Sequence, residues 1–300
     1  MDKFLSTLPS VRSRRRAREA IDSGKVLVGG RRLGVAEHSL TVQAGDLVCI
    51  EWNRPGTART ARKGAVNLDR HGLRIVHEDS DIVLVDKPPG LLTDSATYKQ
   101  AREEKTVATL VGSWLEASGQ RAHVVHRIDR DTSGLVAVAR HAEAFEALRS
   151  EFAKHRPVRE YWVLVAGGPR EDAGDWAHYM RWDKRFLRQR VASADDEQAV
   201  LARASYRVLR RFGEHATALE VRLDTGRRNQ IRLQCQLEGY PLVGERQYVD
   251  RDASPPTLKA PRQALHAMRL RFKHPGHGRM VAYTCALPAD LEAVVRKLGG

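Results

Sequence analysis

One ten-residue stretch, His126-Arg127-Ile128-Asp129-Arg130-Asp131-Thr132-Ser133-Gly134-Leu135, concentrates groups able to do chemistry: two carboxylates, two guanidiniums, an imidazole and two hydroxyls. An aspartate held among arginines is expected to stay ionised, because nearby positive charge lowers its pKa. A carboxylate fixed on a turn before a buried strand is well placed to act as nucleophile or base. The same content describes a surface ion-pair cluster, and local composition does not separate the two. A third reading uses Asp129 and Asp131 together. Two residues apart on an extended chain, their carboxylates approach the ~5 Å separation of a retaining glycosidase pair. His123 and His126 stand three apart, as do His274 and His277, without acidic or cysteine partners at ligand spacing, so no metal site is expected.

The elements around this stretch read as a compact mixed domain from residue 72 onward. Ile82–Val85 is a short apolar strand ending in Asp86-Lys87-Pro88-Pro89-Gly90, a rigid turn. Leu135–Ala139 is a strand, and Ala142–His155 places Phe145, Leu148 and Phe152 at helical spacing. Tyr161–Ala166 reads as a buried strand with Trp162 facing the core side. Leu219, Val221 and Leu223 alternate with Glu220 and Arg222, a half-buried strand running into Asp224-Thr225-Gly226-Arg227. Trp176 and Trp182, amid Arg181, Lys184, Arg185, Arg188 and Arg190, offer rings for stacking on bases, or else lie on a solvated basic loop. Neither a dinucleotide-binding fingerprint nor a phosphate-binding P-loop is present.

Charge points to the partner. The 300 residues carry 51 Lys plus Arg against 37 Asp plus Glu, a formal +14. Such an excess concentrates polyanions, nucleic acid first among them. Residues 1–32 alone hold nine basic side chains against three acids. A helix over Arg12–Ser23, capped by Ser10 and ended by Gly24, would bury Val11, Ala17, Ala20 and Ile21 and leave Arg14, Arg15 and Arg18 outside. Strands follow at Lys25–Val28 and Leu47–Trp52, and residues 53–71 read as a basic linker. No apolar run approaches the ~18–20 residues of a membrane span. The start lacks a secretory pattern, and three scattered cysteines suggest neither disulfides nor zinc, so a cytoplasmic protein is expected.

Order adds to content. Ser13-Arg14 through Gly29-Gly30, closing on Ala44-Gly45-Asp46, resembles the S4 RNA-binding domain, with Gly29 where asparagine is usual. Four further segments resemble the pseudouridine synthases of the RluA/RluD type. They are Val83-Leu84-Val85-Asp86-Lys87-Pro88-Pro89-Gly90-Leu91, the His126–Leu135 stretch, Arg159-Glu160-Tyr161, and Thr225-Gly226-Arg227-Arg228-Asn229-Gln230-Ile231-Arg232 followed by Pro241-Leu242-Val243-Gly244-Glu245 and Tyr248. Leu265-His266-Ala267 and Phe272-Lys273-His274-Pro275 extend the match to about residue 290. Asn229, Glu245 and Arg159 depart from the family's usual His, Asp and Lys. Asn229 is also read as the N-cap of a helix ending before Gly239.

The resemblance implies an α+β fold, with a mixed, largely antiparallel sheet in the catalytic domain (72–300) and a small S4-like αβ domain (1–52) before the linker. It implies cofactor-free isomerisation of uridine to pseudouridine in structured RNA, ribosomal RNA first and tRNA second, by a monomer. Asp129 would be the essential carboxylate and Arg232 its partner. Tyr161 would stack on the base and help remove the C5 proton. Arg127 would fill the space left by the base or hold its phosphate, and Lys87 would pack near the site or meet phosphate. Arg14, Arg15 and Arg18 would grip RNA phosphates. Two rivals remain open: a non-catalytic RNA-binding or ribosome-assembly factor, and the hydrolase using Asp129 with Asp131.

Overall fold

A computed structural model describes residues 1–299, apart from 9–10, 12, 23, 30, 35–36, 44, 51–65, 96–103, 117–119 and 250–257. Ser10 and most of the expected linker therefore lie outside the described residues. The chain forms two compact units, Met1–Ala65 and Val66–Gly300.

The first unit packs helices α1 (Asp2–Leu5) and α2 (Arg14–Asp22) with a small sheet of β1 (Val26–Val28), β2 (Arg31–Arg32) and β3 (Val48–Ile50). β1 is central and antiparallel to both neighbours. Ser13, not Ser10, starts α2: its Oγ accepts the Arg16 backbone N–H at 3.2 Å. The helix is amphipathic as its spacing predicts. Val11, Ala17, Ala20 and Ile21 are buried with Leu5, Val26 and Leu33, while Arg14, Arg15 and Arg18 are exposed. Arg18 pairs with Asp2 at 2.7 Å and Arg15 with Glu19 at 3.4 Å. Exposed pairs of this kind contribute little to stability and leave the face positive.

The second unit is built on an 11-stranded sheet. Its elements are β4 (Arg74–Glu78), β5 (Ile82–Lys87), α3 (Val107–Glu116), β6 (His123–Val124), β7 (Ser133–Ala139), α4 (Ala142–Ala153) and β8 (Val158–Ala166). There follow β9 (Ala173–Asp183), β10 (Arg188–Val191), β11 (Val200–Phe212), β12 (Ala216–Leu223), α5 (Gln230–Leu237), β13 (Leu265–Lys273), β14 (Met280–Thr284) and α6 (Ala289–Lys297). The strand order is β10-β9-β11-β12-β8-β13-β7-β5-β4, with β14 on β13 and β6 on β7. Strand pairs are antiparallel except β13 with β7, which run parallel through His266–Ser133 and Ala267–Gly134. β5 and β7 are central and apolar on both faces, so they read as continuous hydrophobic runs rather than alternations. One core gathers Ile82, Leu84, Leu135, Ala137, Leu148 and Phe272, and another Leu164, Phe212, Val243, Leu291 and Val294. Among the described residues no helix is long and apolar enough to cross a membrane.

The parallel crossing depends on one glycine. Gly134 has φ +116°, and a Cβ there would stand 2.3 Å from the Ala267 carbonyl oxygen. Neither the dihedral nor the contact tolerates a side chain. Gly134→Ala is expected to destabilise the protein by ~3 kcal/mol or more, read as a lowered denaturation midpoint at unchanged slope. A variant as stable as wild type would show that the crossing is looser than this geometry.

Candidate active site

Asp129 sits in the loop between β6 and β7, four residues before the parallel crossing begins at Ser133. The loop is held along its backbone. Thr93 Oγ1 donates to the Ile128 carbonyl at 2.8 Å and accepts the Ile128 N–H at 3.2 Å. Thr132 N–H donates to the Asp129 carbonyl at 3.1 Å, and Gly90 N–H to the Arg130 carbonyl at 3.0 Å. Lys87 is fully buried, and its ammonium donates to the carbonyls of Pro88, Leu91 and Arg130 at 2.7–2.9 Å. Those three acceptors satisfy its three protons. Burial, with Arg262 acting the same way, brings its pKa down to about 7. Lys87 thus ties the rigid Pro-Pro-Gly turn to the aspartate loop and is not available to a phosphate, which corrects that half of the expectation.

The loop opens on a cavity of about 260 Å³, just below the ~300–1,000 Å³ usual for small-ligand sites. Asp129 lines it together with Arg127, Tyr161 and Arg232, so the four expected pocket residues meet in one place. Arg159, Arg227 and Arg228 also line it. Asp131 is not among the lining residues, which removes the structural basis for a two-carboxylate hydrolase. Arg14, Arg15 and Arg18 belong to the other unit.

Asp129 is less simply ionised than its arginines suggest. Burial raises its pKa above the ordinary value, and this outweighs the opposing pull of Arg232, Arg127, the Asn229 backbone N–H and Arg228. Positive neighbours make the anion accessible; desolvation keeps it basic. That combination suits a group that must take up a proton or attack a carbon.

Arg232 leaves helix α5 and stands 3.8 Å from Asp129 Oδ2, an ion-pair distance longer than a hydrogen bond. Its tight partner is Glu245, bound through both oxygens at 2.7 Å and 2.6 Å, with Glu245 almost fully buried. Burial alone would raise Glu245, but Arg232 and the N–H groups of Gln247 and Arg246 lower it overall. Asn229 Oδ1 accepts from Arg232 at 3.2 Å, and its amide donates to the Tyr248 hydroxyl at 3.2 Å. Two departures from the family pattern, Asn229 and Glu245, therefore both touch Arg232. Asn229 does occupy the N-cap position, at φ 53°, but its side chain makes no cap; it serves this network instead. The spacing of Glu245 and Tyr248 in sequence marked them, yet gave no sign that the glutamate, and not Asp129, would be Arg232's nearest partner.

Tyr161 is nearly buried on β8, opposite Val221 of β12. Burial pushes its phenol up to about 12. The ring lines the cavity, where it can stack on a base, and the phenol keeps its proton at neutral pH. Trp162, on the other face of the strand, packs on the second core as expected. His126 accepts the Ala137 N–H at 3.1 Å, stacks on Phe152 at 4.8 Å, and burial lowers it to about 3, leaving a neutral structural ring. Arg159 rests over Gly226, where a Cβ would meet its guanidinium at 2.3 Å. Thr132 is buried with its hydroxyl unpartnered at the cavity wall, a feature that no sequence signal announced.

Trp176 is not available to bases: it is 2% exposed, stacks on Tyr206 and donates to the Tyr240 hydroxyl at 3.1 Å. Trp182 is half-buried, with the Arg228 guanidinium 4.3 Å from its ring centroid. His274 does acquire acidic neighbours in space, Asp79 and Asp81, with donor atoms within 4.8 Å. Its Nδ1 accepts the Gly276 N–H at 3.1 Å, so Nε2 carries the proton and donates to Asp79 at 2.9 Å. A ring so engaged has no lone pair to offer a metal at Nε2.

The family model described as RNA pseudouridylate synthase matches residues 81–237, and the S4 domain model matches residues 1–48. An RNA pseudouridine synthase of Bacillus subtilis, itself described as uncharacterised, is 31% identical over 99% of this chain and 93% of its own length. The ribosomal large subunit pseudouridine synthase D of Pseudomonas aeruginosa is 36% identical over 73% of this chain and 69% of its own. Among solved structures, the human RNA pseudouridylate synthase domain containing 4 is similar in fold, with a TM-score of 0.63 at 19% identity, over 77% of this chain and 94% of that one.

Proposed function

Because this chain belongs to the RNA pseudouridylate synthase family, and is thus an isomerase, we propose that it converts specific uridines of ribosomal RNA to pseudouridine with Asp129 as the essential carboxylate. The observation that carries this reading is one basic carboxylate lining a cavity otherwise charged by arginines, with an aromatic ring beside it. The N1–C1′ bond breaks, uracil turns, C5 bonds to C1′, N1 gains a proton and C5 loses one. Nothing is oxidised or hydrolysed, so the reaction calls for no cofactor. C1′ and C5 are not both reachable in a stacked helix, so the uridine must leave its stack. Asp129 attacks sugar or base, or removes a sugar proton. Arg232, steadied by Glu245, favours its charged form. Tyr161 stacks on the uracil, and Arg127, exposed at the rim, replaces the extruded base or holds its phosphate.

The ribosomal substrate is supported by relatives named for the large subunit and by the S4 match. We assign phosphate gripping to residues 1–52 and catalysis to 72–300, in a monomer acting on cytoplasmic RNA. Release of tritium from [5-³H]uridine-labelled RNA tests the reading: ribosomal RNA is expected to release it and free uracil should not appear. Release from tRNA alone would change the substrate; free uracil would restore the hydrolase. A bound but unmodified RNA would leave the non-catalytic factor.

The grip has its own test. Changing Arg14, Arg15 and Arg18 together to Gln is expected to weaken RNA binding and make the slope of log K against log[salt] shallower by ~2–3, at ~0.7–0.9 per lost phosphate contact. Turnover at saturating RNA should change little, since the cavity keeps all its residues. An unchanged slope would mean the arginine face of α2 is only solvated.

A further inference from the structure

Arg262 lines no part of the cavity, yet it is 7% exposed, and its guanidinium ties the end of the aspartate loop to the C-terminal helix and to its own segment. Nε donates to Asp290 Oδ2 at 2.8 Å. One terminal nitrogen donates to Ser133 Oγ at 2.9 Å and Asp290 Oδ1 at 3.2 Å. The other donates to the Asp131 carbonyl at 3.0 Å, and to the carbonyls of Leu265 at 3.1 Å and Gln263 at 3.3 Å. Ser133 Oγ also meets His266 Nδ1 at 2.9 Å. Its hydroxyl can therefore accept from Arg262 and donate to the neutral imidazole, whose pKa burial lowers. On its main-chain side, the Arg262 carbonyl lies where a Cβ on Gly244 would fall, 2.1 Å away, so the turn carrying Glu245 rests against it. One residue thus touches both the loop of Asp129 and the turn that steadies Arg232.

We propose that Arg262 and Asp290 form a positioning pair that fixes the Asp129 turn from behind. The inference rests on the reading of Asp129 as the essential carboxylate. Asp131 and Ser133 are anchored two and four residues beyond it, and Thr132 N–H closes the turn onto the Asp129 carbonyl, so slack at 131–133 is transmitted to Asp129. A displacement of ~1 Å at a reacting group can cost ~10²-fold in rate. Asp290, in the first turn of α6, orients the guanidinium through two charge-assisted hydrogen bonds and offsets its buried charge. Neither residue falls in a motif tied to the chemistry.

The decisive variant is Asp290→Asn, which keeps shape and removes charge at a side chain still 31% exposed. Two measurements are made on the full-length protein. Hydrogen–deuterium exchange should quicken in amides 129–133 while the rest of the sheet stays as in wild type. Tritium release from labelled ribosomal RNA should show kcat reduced about 10- to 100-fold with the half-saturating RNA concentration within twofold, and Asp290→Glu should recover most of it. Unchanged exchange at 129–133 overturns the proposal whether or not the wild type turns over uridine. Exchange quickened throughout the sheet, or a loss confined to RNA affinity, overturns it as well, by showing a global or binding effect. Faster exchange at the loop in a protein whose wild type releases no tritium supports the positioning pair and defeats the functional reading instead.

Discussion

Asp129→Asn is expected to lower isomerisation by ~10⁴-fold or more while RNA affinity stays within a few-fold. An amide of the same shape keeps the loop's backbone bonds but can neither attack nor accept a proton. The same substitution should make the protein more stable at pH 7. The Asp129 pKa is raised on folding, chiefly by burial, so the folded state disfavours the charge that neutral pH imposes. That penalty is absent below the unfolded-state pKa and grows as pH rises from there through the folded value. The stability difference between Asn and Asp variants should therefore widen from about pH 4 upward. Thermal melts across pH, beside tritium-release rates, check both halves. Activity within tenfold of wild type would remove Asp129 from the chemistry; a destabilised Asn variant at pH 7 would contradict the electrostatic account.

Arg232→Met should do damage of two separable kinds. It leaves Glu245 buried without its cation, and breaking a buried pair from one side typically costs ~3–5 kcal/mol. It also removes the largest influence opposing burial at Asp129, so that pKa climbs further and the acid limb of kcat/KM moves to higher pH. Activity lost at pH 6 should then partly return at pH 8. Replacing Glu245 by Leu in the same protein removes the orphaned carboxylate and should recover much of the stability but none of the turnover. Denaturant melts and pH–rate profiles separate the two effects. A profile superimposable on wild type would show that Arg232 serves Glu245 alone.

These contrasts show where sequence reasoning carried and where it stopped. Asp129, Tyr161, Arg232 and Arg127 were placed together through motifs, and the cavity does bring them together. The strands around residues 82, 135 and 161 were legible as apolar runs, and the one around 219 as an alternation entering a turn. What failed was reading a pKa from neighbours in sequence: arginines beside an aspartate say nothing of how much water the fold removes from it. In sequence Lys87 reads as packing near the site or meeting phosphate, and only the fold reveals three carbonyls converging on it, which leaves the first of the two. Glu245 stood out in sequence only as a departure from the family's usual Asp, and only the fold shows that it holds Arg232 in place. Trp176 looked like a stacking ring amid basic residues, but it packs on Tyr206 and Tyr240, whereas Trp182, on the same face of β9 farther along the strand, is only half-buried, beside Arg228. Arg262 and Asp290 were invisible for a plainer reason: Arg262 meets the loop across about 130 residues of chain, and Asp290 acts only through Arg262.

The parallel pairing of β7 with β13 also has a meaning for the growing polypeptide. Ser133 meets His266 across 133 positions of chain, and Asp131 meets Arg262 across 131. Contacts so distant in sequence form slowly, because a long loop must close before any of them is rewarded. Strands β4 to β7 can leave the ribosome and pair among themselves, but the β7 edge that receives β13 stays open until residue 267 has been made. Until then the aspartate turn has its anchors from Lys87, Gly90 and Thr93 but lacks those from Arg262 and His266, and a chain that ends at β7 has yet to make Tyr161 and Arg232. Assembly of the site therefore waits for residue 267 and beyond, whereas α2 packs wholly against residues of the first 50 and can fold long before.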